Sequence, residues 1–371
     1  MRDTIRIVVW PVDAVLIAPD LWSTDFVEHS LLETEINKTL ITTPPCRVIS
    51  DGAAGNERQA LALAAALGVP ARVWRLQLRA PWSWLAPRWS VGATLALPAE
   101  LRHAMQAPWP QIAIGCGRQA ALLTRLLHER SGGKTFCVQI LDPRIAPQHF
   151  DLVIAPRHDN LVGANVLQTL GALNPIDDTW LSNAAQQFGT LSELSAPRTA
   201  VLIGASNHAQ RLDHAYFEAL LDKLGMLHQR DGGSFLVTTS RRTPVDLAVW
   251  LRKKFVAFPG IFWAGNADGE NPYAGFLAHA TRIVVTPDSV NMLSEACASG
   301  KPVLTFASRP LRGKLAGFHA NLHAAGYLQG LQTLAPLRSA YAQPLRETAT
   351  VAASVLQAWH AAKQKSVNAK K

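Results

Sequence analysis

Residues 282–306, RIVVTPDSVNMLSEACASGKPVLTF, place polar side chains where an apolar strand ends and a helix begins. With the helix starting near Ser289, the side chains of Asp288, Asn291 and Glu295 fall on one helical face. The N–H groups of an exposed helix start bind phosphate, and a carboxylate farther along that face can accept hydrogen bonds from vicinal hydroxyls. The pattern predicts a nucleoside diphosphate site, with ribose at Glu295. The alternative is a capped strand–helix–strand unit with a solvated polar face.

A second run of such residues, SFLVTTSRRTPVD at 234–246, places Ser240, Arg241 and Arg242 directly before another helix. The residues TPVD that follow are typical of a helix start. Two adjacent arginines at the positive end of a helix repel each other unless an anion binds there. The pattern therefore favours phosphate binding over surface charge. Ser206, in LIGASNHAQRLD, ends a neighbouring strand and is expected to contribute to the same site.

The stretch VISDGAAGNERQALALAAALG repeats the strand–turn–helix form in the first half of the chain. Gly52 and Gly55 allow the backbone to approach a ligand closely, Asp51 ends the strand, and Asn56 is expected to cap the helix. The alternative is a tight turn closed by polar residues. The glycine spacing differs from the GxGxxG dinucleotide fingerprint, which counts against a nicotinamide cofactor.

Two further loops of the first half carry charged side chains at strand ends. Arg118 follows Gly-Cys-Gly at a helix start and is expected to strengthen an anion site there, unless it is simply solvated. His158 and Asp159, in PRHDN, form a pair suited to acid–base chemistry, although a lone histidine is more often a surface or packing residue. Asp51 and His158 are therefore the candidates for a general base.

The segment ARVWRLQLRAPWSWLAPRW, residues 71–89, combines tryptophan with arginine and contains no acidic residue. This combination suits an anionic membrane interface, which a lipid-linked acceptor would require. Pro81 and Pro87 exclude one continuous amphipathic helix, and the alternative is that the tryptophans fill the core while the arginines are solvated. The residues expected at the membrane are Trp74, Arg75, Arg79, Trp82, Trp84 and Arg88.

These residues need sheets that bring the strand ends together. From Cys46 onward, short β-branched runs alternate with alanine- and leucine-rich helical segments. The alternation predicts an α/β protein with two doubly wound, Rossmann-type parallel sheets facing each other across a cleft. The expected divisions are an N-terminal extension (1–45), a first domain (46–172), a linker (173–197), a second domain (198–335), and a final helix with a basic tail (336–371).

Composition limits the class of function. The 371 residues suffice for two domains, and 48% hydrophobic with 17% charged residues allows a substantial core. The formal charge of +9 favours anionic partners, but the basic residues lack recognisable nucleic-acid motifs, so nucleic acid is not expected. Four scattered cysteines predict reduced thiols in a cytosolic protein rather than disulfides or a metal site. No stretch resembles a membrane span or a signal peptide.

Six motifs, in order along about 46–330, resemble the mitochondrial-fission (elongated mitochondria) protein family, in its bacterial branch. They are DGAAGNERQA, VQILDPR, DLVIAPRHDN, TTSRRTP, NPYAGFLAHA and VTPDSVNMLSEACASGKPV. Residues 282–306 are also similar to the nucleotide-sugar motif of GT-B glycosyltransferases. The resemblance implies a GT-B-like fold in which Glu295 contacts the donor ribose. Asn271, which begins NPYAGFLAHA, is placed with the expected donor-side residues.

The expected function is transfer of a sugar from a nucleotide-sugar donor to a cell-envelope glycolipid or polysaccharide. The second domain would hold the donor, and the acceptor would face Gly52, Gly55, Asn56, Arg118 and Asp159. Electrostatic neutralisation of the leaving diphosphate removes the strict need for a metal, and no cofactor is expected. Two alternatives stay open: a non-catalytic scaffold that recruits a partner protein at a membrane, as implied for plant relatives, and a sugar-nucleotide epimerase. The expected location is the cytoplasm, peripheral on the inner membrane.

Overall fold

The computed structural model describes residues 46–207, 209–331 and 343–368, which lie in one compact unit. Their architecture is two six-stranded parallel sheets with helices packed on them. The predicted α/β class with two parallel sheets is therefore confirmed. The expected extension at 1–45 lies outside the described residues.

The first sheet contains β1 (Cys46–Ser50), β2 (Ala71–Arg75), β3 (Ile112–Cys116), β4 (Phe136–Ile140), β5 (Leu152–Pro156) and β6 (Val166–Thr169). Its strand order is β2-β1-β3-β4-β5-β6. The strands β1, β3, β4 and β5 are buried along their whole length. Because both faces of a parallel sheet are covered by helices, such strands are mostly apolar, although β1 also buries Arg47 and Ser50 and β4 buries Gln139.

The helices of the first half are α1 (Ala54–Ala66), α2 (Trp82–Leu85), α3 (Ala99–Ala104) and α4 (Arg118–Ser131). Both α1 and α4 begin just after a buried strand, at the carboxyl edge of the sheet. In register, Ser50 of β1 pairs with Cys116 of β3, which in turn pairs with Ile140 of β4. The loops that follow these strands therefore open at one common edge.

The second sheet contains β7 (Arg198–Ile203), β8 (Ser234–Thr239), β9 (Gly260–Trp263), β10 (Arg282–Val285), β11 (Val303–Thr305) and β12 (Gln329–Gly330), in the order β12-β11-β10-β7-β8-β9. Its helices are α5 (Asp178–Gln187), α6 (His214–Asp231), α7 (Val245–Phe255), α8 (Tyr273–His279), α9 (Val290–Ala298) and α10 (Gly313–Ala324). In this order β7 lies beside β10, so the loops that follow these two strands are neighbours.

The chain returns to the first sheet at its end. The helix α11 (Thr348–Asn368) buries Val351, Val355 and Trp359 in the same core cluster as Cys46 and Val48 of β1. The last helix therefore packs on the first sheet, although it follows the second sheet in sequence.

Residues 173–197, expected as a linker, contain α5 and pack on the second half. Phe188 and Leu191 contact the core around α8, and a Cβ atom on Gly275 would collide with the Phe188 side chain. Glycine at this position therefore lets the segment approach α8 closely.

Three strands have no counterpart among the predicted elements. β2 lies inside the tryptophan–arginine segment, where large polar side chains hide its alternation, and its burial is only partial. β6 and β12 are short and partly exposed. Edge strands of this kind lack the apolar run that marks central strands. Among the described residues, no helix has the length and apolarity needed to cross a bilayer.

Candidate functional site

The helix α9 begins where the sequence predicts, at the carboxyl edge of the second sheet. Ser289 has an extended backbone, and its hydroxyl accepts a hydrogen bond from the Met292 N–H at 3.3 Å. On the core side, Leu293 and Cys297 are fully buried. The helix start is thus fixed by a capping serine on one side and by apolar packing on the other.

Glu295 lies on α9 and is only 3% exposed, so the alternative of a solvated polar face is wrong for this residue. Its Oε1 accepts a hydrogen bond from Arg58 Nη1 at 2.6 Å, and its Oε2 accepts one from the Tyr273 hydroxyl. The Glu295 carboxylate raises the pKa of Arg58, while burial raises the pKa of Tyr273. A buried carboxylate is thus held between a cation and a phenol.

Neither Arg58 nor Tyr273 was predicted as a site residue. Arg58 lies in NERQA, where the sequence suggests only the polar face of a helix, and it meets Glu295 from the other half of the chain. Tyr273 lies in the NPYAGFLAHA motif, two residues after the predicted Asn271. Asn271 itself is exposed, and its Oδ1 accepts a hydrogen bond from the Tyr273 N–H at 3.0 Å. It supports the start of α8.

The first turns of α1 lie directly against α9. Gln59 donates a hydrogen bond to Asn291 Oδ1 at 3.2 Å, and a Cβ atom on Gly55 would collide with the Asn291 side chain. The close approach expected at Gly55 therefore occurs, but toward Asn291.

The predicted helix cap at Asn56 is wrong. α1 begins at Ala54 with Ala53 at the N-cap, one turn earlier than expected. Asn56 instead donates to both carboxylate oxygens of Asp51 at 3.2 Å. Asp51 also accepts from the Ala53 N–H at 3.1 Å. The Asp51 side chain, proposed as a general base, is thus engaged in closing its own turn, with Gly52 at a positive φ of 81° inside that turn.

Asp288 is 6% exposed and fastens two loops of the second half together. Its carboxylate accepts hydrogen bonds from Thr286 Oγ1 at 2.7 Å and from the Ala205 N–H at 3.1 Å. Burial raises the pKa of Asp288. Arg242 lies 3.7 Å from the same carboxylate, so one predicted phosphate-binding arginine is already near a negative charge.

The Ser-Arg-Arg turn after β8 presents both arginines to solvent. Arg241 and Arg242 are exposed, while Ser240 and Thr243 share a hydrogen bond between their hydroxyls at 3.0 Å. Thr243 Oγ1 also donates to the Gly204 carbonyl at 2.8 Å, which ties this turn to the loop after β7. The helix α7 then begins at Val245.

Ser206 lies in the loop after β7 and closes that loop on itself. Its hydroxyl accepts from the Leu212 N–H at 2.8 Å and donates to the Leu212 carbonyl at 3.2 Å. Asn207, next in sequence, donates to the Asp288 carbonyl at 3.2 Å. The loops after β7, β8 and β10 therefore meet at one place, as the predicted site requires.

A polar pocket of about 340 Å³ lies between the loop after β5 and the helix α10. Lys314 Nζ lies 2.7 Å from Asp159 and 3.2 Å from Asp142. The His158 ring packs edge-on against Phe318, and its Nδ1 atom is buried without a hydrogen-bond partner. Burial lowers the pKa of His158, so its imidazole is neutral near pH 7. The pocket is lined by Arg157, His158, Asp159, Asn160, Gly313, Lys314, Gly317 and Asn321.

The same helix α10 holds the loop in front of α9. His319 is buried and its Nε2 lies 2.9 Å from the Pro287 carbonyl. Burial lowers the pKa of His319 to about 4, so the imidazole is neutral and its Nε2–H can donate to that carbonyl. The pocket and the start of α9 are thus connected through α10. No group of three or more His, Cys, Asp or Glu side chains in the described ranges could hold a metal ion.

Arg118 does not present a free cation at the start of α4. Its guanidinium donates to the carbonyls of Ser83, Trp84 and Ala86, at distances from 2.7 to 3.1 Å. The side chain therefore anchors the tryptophan–arginine segment to the first domain, which the sequence did not indicate.

The tryptophans of that segment divide into two groups. Trp74 and Trp82 are half-buried: the Arg47 guanidinium lies over the Trp74 ring, and Trp82 Nε1 donates to the Val91 carbonyl. Trp84 and Trp89 are 76% and 54% exposed. The exposed arginine and large aliphatic side chains close to them in sequence are Arg79, Leu85, Arg88, Val91 and Leu95. We call this set, with Trp84 and Trp89, the tryptophan surface.

Arg75, also predicted at the membrane, has a different position. It lies on β2 and forms an ion pair with Glu57 of α1 at 2.6 Å. It therefore faces the helix side of β2 and is outside the tryptophan surface.

Comparison with known proteins identifies relatives and folds. The family described as mitochondrial fission ELM1 matches residues 54–359. The mitochondrial fission protein ELM1 of Arabidopsis thaliana is 29% identical over 280 residues, covering 68% of this chain and 65% of the plant protein. This chain thus spans about two thirds of that relative's length.

Two solved structures share the fold at low sequence identity. One is Os79 from O. sativa in complex with UDP, at 13% identity and a TM-score of 0.50, covering 85% of this chain and 94% of that one. The other is UDP-GlcNAc 2-epimerase from Methanocaldococcus jannaschii, at 12% identity and a TM-score of 0.50, covering 84% and 99%. The expected GT-B-like architecture is confirmed.

Proposed function

The chain belongs to the mitochondrial fission ELM1 family and has a GT-B-like fold, and from this premise we propose that it is a nucleotide-sugar-dependent glycosyltransferase. One observation carries the proposal. A serine-capped helix start and two exposed arginines follow strands β10 and β8 at the carboxyl edge of the second sheet, and a carboxylate, Glu295, lies farther along the same helix. This edge is where open α/β sheets bind ligands.

In the proposed complex, the start of α9 and the side chains of Arg241 and Arg242 bind the donor diphosphate. Helix N–H groups and guanidinium groups both stabilise the negative charge that builds up when the sugar–phosphate bond breaks. Glu295 accepts hydrogen bonds from the ribose hydroxyls. The transferred sugar occupies the polar pocket beside α10, whose amide, carboxylate and ammonium groups can bond to hydroxyls.

His158 is the proposed general base, in preference to Asp51. The imidazole of His158 lines the pocket and is neutral. An imidazole that acts as a general base must be neutral and within reach of the acceptor hydroxyl to remove its proton. The Asp51 carboxylate already accepts hydrogen bonds from Asn56 and from the Ala53 N–H.

Release of free nucleotide from a nucleotide-sugar, only when a membrane glycolipid extract is added, would support transfer. Binding with no release in any extract would favour the scaffold.

Changing either arginine to alanine is expected to weaken binding of UDP. The loss should be about 1.5–3 kcal/mol for each, the value of a charge-assisted hydrogen bond. Arg241→Ala is the cleaner variant, because Arg242 is also near Asp288. Isothermal titration with UDP measures the change, and uridine, which lacks phosphate, should bind all variants alike.

The matched control is Lys253→Ala, which removes one exposed positive charge from α7 of the same half. Unchanged UDP affinity in both arginine variants, or an equal loss in the lysine variant, would contradict a diphosphate site at this turn.

We further propose that the tryptophan surface contacts an anionic membrane and brings the acceptor lipid to the enzyme. Two exposed indoles, three exposed aliphatic side chains and two arginines form it. Indole rings and basic side chains are the groups that bind at the interface of anionic bilayers.

Co-sedimentation with liposomes is expected to increase with the fraction of anionic lipid and to decrease with added salt. The double variant Trp84→Ala, Trp89→Ala should bind roughly sixtyfold more weakly, because losing about 100 Å² of buried apolar area costs about 2.5 kcal/mol. Val245→Ala, at an exposed apolar position of the second half, is the control. Equal binding to neutral vesicles, or none to either kind, would exclude this surface.

A further inference from the structure

The Glu295 carboxylate is closed off in the arrangement described above. Its side chain is 4% exposed, and both oxygens accept hydrogen bonds from within the protein, one from Arg58 and one from Tyr273. Ribose hydroxyls must come within about 3 Å of a carboxylate to donate hydrogen bonds to it. A nucleotide cannot reach Glu295 unless a group that covers it moves.

One of the two groups that cover Glu295, the Arg58 side chain, comes from the other half of the chain. Arg58 and Gln59 lie on α1 beside the first sheet, and they contact Glu295 and Asn291 on α9 beside the second. The two contacted residues are four apart, so they lie on one face of α9. Gly55, one turn earlier on α1, adds a close backbone approach to Asn291. One face of α1 is therefore seated on the face of α9 that the proposed nucleotide uses.

The two partners of the ion pair differ in their exposure. The Arg58 side chain is 48% exposed, whereas that of Glu295 is 4% exposed. The Arg58 guanidinium can therefore remain hydrated when it leaves, but the carboxylate needs replacement hydrogen-bond donors. Vicinal hydroxyls supply two such donors. Arg58 is therefore the partner that can leave when a ribose binds to Glu295.

We propose, on the basis of the proposed function, that Arg58 is a latch that regulates access to the nucleotide site. In the ligand-free chain the Arg58–Glu295 ion pair holds α1 on α9. Nucleotide binding requires α1 to move away, and the ribose then takes the place of the guanidinium at Glu295. The apparent affinity for nucleotide is lower than the intrinsic affinity, because only the fraction of molecules in which α1 has moved away can bind.

The test uses the full chain with the variant Arg58→Met, which keeps the length of the side chain and removes its charge. Spin labels on Lys134→Cys and Lys253→Cys, at exposed positions in the two halves, report the distance between them by double electron–electron resonance. The four native cysteines are buried and should not be labelled. Without ligand, Arg58→Met is expected to show a longer or broader distance distribution. Its affinity for UDP should rise by roughly tenfold.

Arg75→Met is the matched control, because Arg75 pairs with Glu57 of the same helix but within one half of the chain. It should change neither the distance nor the affinity. If Arg58→Met does not fold, Arg58→Lys, which loses the planar guanidinium, should shift both readouts in the same direction by less.

An unchanged distance distribution in Arg58→Met overturns the latch. So does a fall in UDP affinity, which would make Arg58 part of the binding site. If the distribution widens but neither protein binds UDP, GDP or CMP, the contact acts as a latch between the halves and the proposed function fails. The two failures are therefore distinguishable.

Discussion

Replacing Glu295 by glutamine in the Arg58→Met background, where the proposed latch is already open, is expected to lower the affinity for a nucleoside diphosphate about ten- to a hundredfold relative to Arg58→Met alone. The amide keeps the shape of the side chain but loses the charge and one acceptor oxygen, and a charge-assisted hydrogen bond is worth on the order of 1.5–3 kcal/mol. Isothermal titration measures the affinity, and the melting temperature of the same variant reports the fold.

The structure gives this experiment a comparison that separates binding from stability. Glu295 is also the buried partner of Arg58, so Glu295→Gln should lower the melting temperature as well. If the ion pair serves only the fold, Glu295→Gln and Arg58→Met should both destabilise the protein and leave nucleotide affinity unchanged. A donor site instead requires the affinity to rise in Arg58→Met and to fall when Glu295→Gln is added to that variant.

Asp231→Asn is expected to produce the largest loss of stability. Arg282 on β10 is 4% exposed, and its guanidinium donates to Thr199 Oγ1 at 2.8 Å and to the Asp231 carboxylate. Removing one partner of such a pair leaves a buried charge uncompensated, which costs about 3–5 kcal/mol. Denaturant unfolding measures the change. Glu129→Gln, which breaks an exposed pair with Arg125 on α4, should cost at most about 0.5 kcal/mol.

The same aspartate makes stability depend on pH. Hydrogen bonds from Arg230 and Arg282 hold the pKa of Asp231 well below its usual range. An acid whose pKa is lower in the folded than in the unfolded state stabilises the fold at any pH above its unfolded pKa, about 3.9, and this contribution is lost as the pH falls below that value. The stability difference between the wild type and Asp231→Asn should therefore be constant near neutral pH and shrink below about pH 4. A difference that grows on acidification would contradict this assignment.

The central strands and the helix starts of this chain could be predicted because the signals for them are local. RIVVT and SFLVTT each contain three consecutive apolar residues, and the helix that follows RIVVT begins near Ser289 as expected. β2 was not predicted from the sequence, because it is partly exposed and carries arginine and tryptophan. The cap at Asn56 was misplaced by about one turn, because Asn56 has a stronger partner in Asp51 than the helix backbone offers.

The partners of the site residues could not be predicted, because they are distant in sequence. Arg58 and Glu295 are 237 positions apart. Nothing in NERQA distinguishes an arginine that crosses to another domain from one that faces water. Arg118 shows the same limit: its position at a helix start left an anion site and a solvated side chain both open, but two of the carbonyls it binds belong to the short helix α2, whose position the sequence does not reveal.

Titration of the 371-residue chain with UDP-, GDP- and CMP-sugars is the decisive experiment for a nucleotide-sugar site. We expect at least one of them to bind saturably, with an affinity that falls about ten- to a hundredfold when Glu295→Gln is added to Arg58→Met. The corresponding free nucleoside diphosphate or monophosphate should compete for the same site. Failure of all three classes to bind the wild-type protein would contradict a nucleotide-sugar site and would leave the non-catalytic scaffold as the better account of this fold.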